Sequence, residues 1–198
     1  MADVAKGLGV AKELQGIVWF VAALWIVYLV DVVLPIDLSA YGIAPRTLHG
    51  LIGIPLMPFL HASWGHLLGN TIPLCILLFI LLSYRRDFLE VIVSIVIFGG
   101  LLLWCFGRSA VHVGASGLIY GLVAFLIASG FAERKPVPIF IALLVGFLYG
   151  TTLFFGVLPT AGVTVSWDGH LFGALAGAGT AYAMANKSEQ ENEKIESI

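Results

Sequence analysis

Six stretches of about 20 mostly apolar residues fill most of this 198-residue chain, and a helix of that length is what crossing a bilayer requires. They cover residues 16–34, 64–84, 88–106, 113–132, 138–158 and 167–185. A backbone in hydrocarbon must satisfy its own hydrogen bonds, which a helix does within itself. The chain is 60% hydrophobic, only 11% charged and has a mean hydropathy of +1.00, whereas soluble domains are about 25% charged. The expectation is an all-α integral membrane protein built as a six-transmembrane-helix bundle. The sixth stretch is the least apolar and is rich in Gly and Ala, which suits a helix packed among others rather than one facing lipid.

The first stretch does not read as a cleaved signal peptide. No Ala-x-Ala site follows it, and Asp31 and Pro35 close it instead. The expected organisation is a short N-terminus over 1–15, the helical domain over 16–186 and a charged tail over 187–198, with no soluble domain appended. The tail has no apolar periodicity and is expected to be disordered. With the N-terminus inside, Lys6, Lys12, Arg85, Arg86, Arg134, Lys135, Lys187 and Lys194 all face the cytoplasm, and only Arg46 and Arg108 lie outside. That bias places both termini in the cytoplasm, and the absence of an organelle-targeting extension favours a prokaryotic plasma (inner) membrane. A net charge of -2 without a basic block gives no support for nucleic-acid binding. Cys75 and Cys105 fall within apolar stretches and read as small packing residues, not as a disulfide or metal pair.

Six spans also impose parity. The second, fourth and sixth all start on the outer face and run inward. His61, His66 and Asn70 stand at the start of the second, Ser116 opens the fourth, and His170 opens the sixth. The polar residues most able to do chemistry therefore gather at one end of three parallel helices, whichever way the chain is inserted. Ionisable groups inside a membrane are costly, and that cost marks them as functional candidates.

Glycines explain how two of these helices could come close enough to react. Gly117 and Gly121 on the fourth span, and Gly169, Gly173 and Gly177 on the sixth, recur every four residues and leave one face of each helix bare. Such spacing is often packing alone; with Ser116 and His170 attached it becomes the support of a site. Ser116 is the candidate nucleophile: Gly114 and Gly117 leave its hydroxyl accessible, and the helix start leaves backbone N–H groups free for an oxyanion. The competing reading is a serine bonded to a carbonyl one turn back. His170 is the candidate base. Asp168, two residues away, projects elsewhere, so a dyad is expected rather than a triad. Tyr120 lies one turn below Ser116 and could support the imidazole, or could be a plain core aromatic. Asn70 and His61 could donate to a developing oxyanion.

Three alternatives remain open on the residues alone. His61, His66, His112 and His170 could form a metal site, although no carboxylate, Cys or His-Glu-x-x-His pattern accompanies them; the expectation is no metal and no cofactor. A helix-binding protein without catalysis would share the architecture, and a small transporter could use the histidines as a proton relay. His49 and His112 fall in loop-like stretches and read as ordinary loop histidines.

The order and spacing of these residues resemble the rhomboid family of intramembrane serine proteases. The matching blocks are His61-x4-His66-x3-Asn70, then Gly114-x-Ser116-Gly117 with Tyr120, then His170-x2-Gly173-x3-Gly177, on the second, fourth and sixth spans. The resemblance implies a rhomboid-like bundle of the basic six-span form. It implies a water-filled cavity below the outer surface and a metal-free Ser116–His170 dyad acting on transmembrane protein substrates within the lipid bilayer. It further implies an oxyanion held by the Ser116 N–H with the positions of His61 and Asn70, a helping role for His66, and Tyr120 beneath the imidazole. The segment over 156–167, with Gly156, Pro159 and Gly162, and the fifth span are the expected gate. One departure stands out: many rhomboids carry Trp-Arg in the first outer loop, where this chain has Pro45-Arg46. Substrate identity and oligomeric state are not written in the sequence.

Overall fold

The computed structural model describes residues 2–159 and 166–196, so Gly162 of the expected gate lies outside the described residues. The chain forms α1 (Ala2–Val33), the single turn α2 (Gly53–Leu56), α3 (Trp64–Tyr84), α4 (Phe88–Phe106), α5 (Ser116–Glu133), α6 (Pro136–Gly156) and α7 (Trp167–Glu196). Short 3-10 turns at Leu38–Tyr41, His49–Leu51 and Met57–Phe59 shape the first outer loop. Among the described residues the only extended pairing is one antiparallel bridge between Ile43 and His112.

Sequence chemistry sets the helix limits. Ser63 caps α3, its Oγ accepting from the His66 N–H at 3.2 Å. Pro136 opens α6, where a missing N–H costs nothing. Ser166 precedes α7 and accepts from the Gly169 N–H at 3.2 Å. Among the described residues five helices are long and apolar enough to span a membrane. α7 falls short on apolarity because Gly and Ala dominate it, yet it packs against both α4 and α5. α5 is the centre: 67% of its spanning window is buried, against 6% for α1 at the periphery. The core is built on Leu74, Leu77 and Leu81 of α3, Ile95 of α4, and Leu122 and Phe125 of α5.

Two polar anchors tie the ends of the bundle. At the inner end Arg85 pairs with Asp87 at 2.7 Å and with Glu133, its guanidinium 5.4 Å from the Phe125 ring centroid. This joins α3, the turn into α4, and α5. The Arg85 bond holds the Asp87 carboxyl below its usual range. At the outer end Arg46, in a left-handed conformation at φ 61, spends its guanidinium on the exposed C-terminus of α4. Its Nη1 donates to the carbonyls of Gly107 at 2.8 Å and Cys105 at 3.3 Å, and Trp104 Nε1 donates back to the Thr47 carbonyl at 2.8 Å. The first outer loop, lacking a Trp before its Arg, is thus anchored by that Arg together with a Trp from α4.

One expectation is corrected. α7 continues through Lys187 to Glu196, where the composition suggests disorder. The segment KSEQENEKIE has no Gly or Pro and is rich in Glu, Lys and Gln. Extending a helix that is already nucleated adds a bond for each residue fixed, so weak apolarity does not end it. Lys187 also lies 3.6 Å from Glu90 at the start of α4.

Candidate active site

The glycine faces of α5 and α7 meet backbone to backbone. A Cβ placed on Gly173 would run into the Gly117 carbonyl, and one on Gly177 into the Gly121 carbonyl. α4 approaches the same seam at Gly99, where a Cβ would stand 3.4 Å from Gly173 Cα. Ser116 immediately precedes the first glycine on α5, and His170 precedes Gly173 by one turn. The seam therefore carries both to its outer end, where they line one cavity of about 590 Å³. His66 and Asn70 of α3, Tyr120 of α5, and Val111, His112, Val113 and Ser166 of the loops complete its wall.

His170 is buried, and its tautomer follows from its neighbours. Nδ1 lies 3.0 Å from the Gly156 carbonyl, which can only accept, so Nδ1 carries the proton and Nε2 keeps a bare lone pair. The ring is stacked on Tyr120, with centroids 3.9 Å apart and planes 4° from parallel. Tyr120 Oη in turn donates to the Thr152 carbonyl at 3.1 Å. Such an imidazole is prepared to take a proton through Nε2. Ser116 is the first residue of α5, and the helical ladder begins with the Ile119 N–H to the Ala115 carbonyl. The N–H groups of Ser116, Gly117 and Leu118 precede that ladder and carry the positive end of the helix.

Gly114 is required to be glycine. Its φ is +114, and a Cβ there would strike the His66 ring and come 3.5 Å from Asn70 Nδ2. Asn70 Nδ2 donates to His61 Nε2 at 3.0 Å, while His61 Nδ1 faces the Phe59 carbonyl at 3.4 Å. Both His61 nitrogens are thereby engaged, Nε2 as an acceptor. Burial, with the charge of His66 second, lowers the His61 pKa to about 4, so the ring is neutral near pH 7. In this arrangement His61 orients the Asn70 amide and stands behind the cavity wall rather than in it. His66 stands edge-on to His61, with ring centroids 5.1 Å apart.

The two loop histidines differ. His49 is exposed and bonds only locally, to the Ala40 carbonyl at 3.1 Å. His112 is no ordinary loop histidine: it is 2% exposed, its backbone pairs with Ile43, and its ring spans Arg108 and Ser166. Nε2 donates to the Arg108 carbonyl at 3.1 Å, and Nδ1 lies 2.7 Å from Ser166 Oγ. Asp168 turns away from His170 into the same cluster. It accepts from the Arg108 backbone at 2.8 Å and guanidinium at 3.3 Å, and from the Gly169 N–H at 3.2 Å. Loop 108–114, leading to Ser116, is thus clamped to the first turn of α7. Among the described residues no three His, Cys, Asp or Glu are placed to hold a metal ion. The Ser-x-x-Gly start of α7 was a readable capping signal for Ser166. The Gly156 and Thr152 carbonyls had none, because a backbone acceptor leaves no mark on residue type.

Residues 48–187 match the Rhomboid domain. The chain is 42% identical over 178 residues to an uncharacterized protein of Mycobacterium tuberculosis (strain H37Rv), covering 85% of this chain and 74% of the relative. An uncharacterized protein of Mycobacterium bovis gives the same values. One of Mycobacterium leprae is 39% identical over 178 residues, covering 85% and 70% of the two chains. No solved structure matches the chain.

Proposed function

Because this chain belongs to the rhomboid family, we propose that it is a serine endopeptidase that cuts membrane proteins in or near their spanning helices, with Ser116 as nucleophile and His170 as base. The observation that carries this reading is the state of His170: Nδ1–H fixed on the Gly156 carbonyl, Nε2 unprotonated, in the cavity that Ser116 also lines. The protein is a multi-pass membrane protein. We place it in a prokaryotic plasma membrane with both termini cytoplasmic, and the cavity toward the outer face.

His170 Nε2 takes the Ser116 proton as Oγ attacks a substrate carbonyl. The tetrahedral oxyanion is met by N–H groups at the start of α5 and by the Asn70 amide, which His61 holds in place. His170 then gives its proton to the leaving amine, and water from the cavity hydrolyses the acyl-enzyme. The Gly156 carbonyl does for the imidazole what a carboxylate does in a triad, fixing tautomer and orientation without adding charge. Peptide bonds in a helical substrate are hidden in its own hydrogen bonds, so substrates with Gly or Pro near the cut should be preferred. Equal cleavage of a poly-Leu span and one containing Gly or Pro would count against that preference.

The test is cleavage of a tagged single-span reporter by purified protein. Wild type should cut, Ser116→Ala and His170→Ala should fall to background, and a chelator should change nothing. Cleavage surviving in Ser116→Ala would end the serine mechanism; an inert wild type against a broad panel would leave a helix-binding protein.

A further inference from the structure

α6 holds on to the bundle differently along its two halves. Its buried residues, Pro138, Ile141 and Val145, all lie in the inner half. Beyond Val145 no residue of the helix is buried, Gly146 and Gly150 meet nothing within 4 Å, and Phe154 and Phe155 are 62% and 63% exposed. Tyr149 and Leu153 pack partly against the core. The remaining ties of this outer half are two hydrogen bonds, and both end on the site. Thr152 and Gly156, one turn apart on one face, offer their carbonyls to Tyr120 Oη at 3.1 Å and His170 Nδ1 at 3.0 Å. The Gly156 carbonyl is available because it ends the helix, where no following turn claims it. The close seat needs glycine: a Cβ on Gly156 would collide with the Tyr120 hydroxyl.

We infer that the last turn of α6 is a positioning element for the catalytic base, so that the dyad is armed only while the outer end of α6 lies against Tyr120 and His170. The inference rests on the protease reading above. A hydrogen bond of 3.0 Å is lost after a displacement of about 1 Å. Without the Gly156 carbonyl nothing on the page fixes the proton on Nδ1, and the Nε2–H tautomer becomes accessible. In that tautomer the nitrogen that should take the Ser116 proton already holds one. A displaced α6 thus opens the site to the bilayer and disarms it at the same time. Admission of substrate and chemistry then occur in sequence, with reclosure of α6 between them.

A small fluorophosphonate separates this from a helix that only blocks the way, because the probe needs no lateral path. Its phosphorus bonds to Ser116 Oγ, fluoride leaves, and the serine proton passes to His170. In Gly156→Ala, labelling of Ser116 and reporter cleavage should fall together, by about 10²-fold. Tyr120→Phe, which loses only the hydroxyl bonded to Thr152, should lose about fivefold in both. ¹⁵N spectra of histidine-labelled protein should show His170 as the Nδ1–H tautomer in wild type, with the Nε2–H form growing in both variants. Undiminished or faster labelling of Gly156→Ala with the Nδ1–H form retained would overturn the inference. Should Gly156→Ala fail to fold, Tyr120→Phe decides by the same two readouts. If wild type neither labels nor cuts, the protease reading fails, while the tautomer spectra still test the positioning by α6.

Discussion

α5 is flanked by two helices that it holds in opposite ways. Against α7 the contact is backbone on backbone, Gly117 over Gly173 and Gly121 over Gly177, with no room for a methyl group. Against α6 the outer half has no buried residue, and two hydrogen bonds to Tyr120 and His170 join it to the site. In a bilayer no hydrophobic force drives helices together, so close packing and interhelical hydrogen bonds must do so. The α7 side uses the first and is stiff; the outer part of α6 depends on the second and can yield. The separation between Ser116 and His170 is therefore built into the frame, whereas the orientation of the imidazole is delegated to a part that moves.

The most damaging way to break this contrast is to add one methyl group to the stiff side. Gly173→Ala or Gly177→Ala puts a Cβ against a carbonyl of α5, an obstacle that cannot rotate away. Overpacking typically costs about 1–3 kcal/mol. Here the helices that carry the dyad must also separate, so reporter cleavage should drop to background and thermal unfolding in detergent should come markedly earlier. Near-normal activity in either variant would mean that the seam is softer than its geometry.

Next in size is Asn70→Ala, which removes a donor from the oxyanion without touching either interface. A single such donor is worth about 10²–10³ in kcat, and unfolding should shift far less than in the glycine variants. An equal loss of stability would reassign Asn70 from chemistry to packing.

The seam and its position among three parallel helix starts were legible in the sequence, because a four-residue glycine repeat and span parity are properties of residue type and order. The His61-x4-His66-x3-Asn70 block also read correctly as one cluster. What the sequence could not display were partners that are backbone atoms. Gly156 looks like a loop glycine until its carbonyl is found on His170. His112 looks like a loop histidine because its burial comes from Ile43 and Ser166, far away in the chain. The tail misled for a different reason: composition measures the drive to bury, and a charged helix continuing from a packed one needs little of it.

His61 offers a pH test of the wall opposite the seam. Its pKa is about 4 in the folded protein and 6.5 in the unfolded chain, so the neutral ring's contribution is fully present above pH 6.5 and is lost as pH falls toward 4. Unfolding should become easier across that window, and His61→Gln should flatten the dependence there. A slope unchanged in the variant would place the titration elsewhere. Cleavage between pH 7 and 8 should show no limb from His61, since it stays neutral throughout.

The smallest effect sharpens the contrast most. Gly150→Ala makes the same chemical change as Gly173→Ala, but on the face of α6 that meets nothing within 4 Å. Alanine is favoured over glycine in a helix by about 0.5–1 kcal/mol, so the variant should unfold slightly later and cut at the wild-type rate. The two substitutions share sequence context to the extent that both lie in apolar helices with glycine four residues away. Opposite outcomes would therefore show that glycine spacing alone does not define an interface, and that what faces the missing Cβ does. Should Gly150→Ala be as harmful as Gly173→Ala in a bilayer, this face of α6 would have to be covered there by another helix, and the mobile side of the site would be an occupied one.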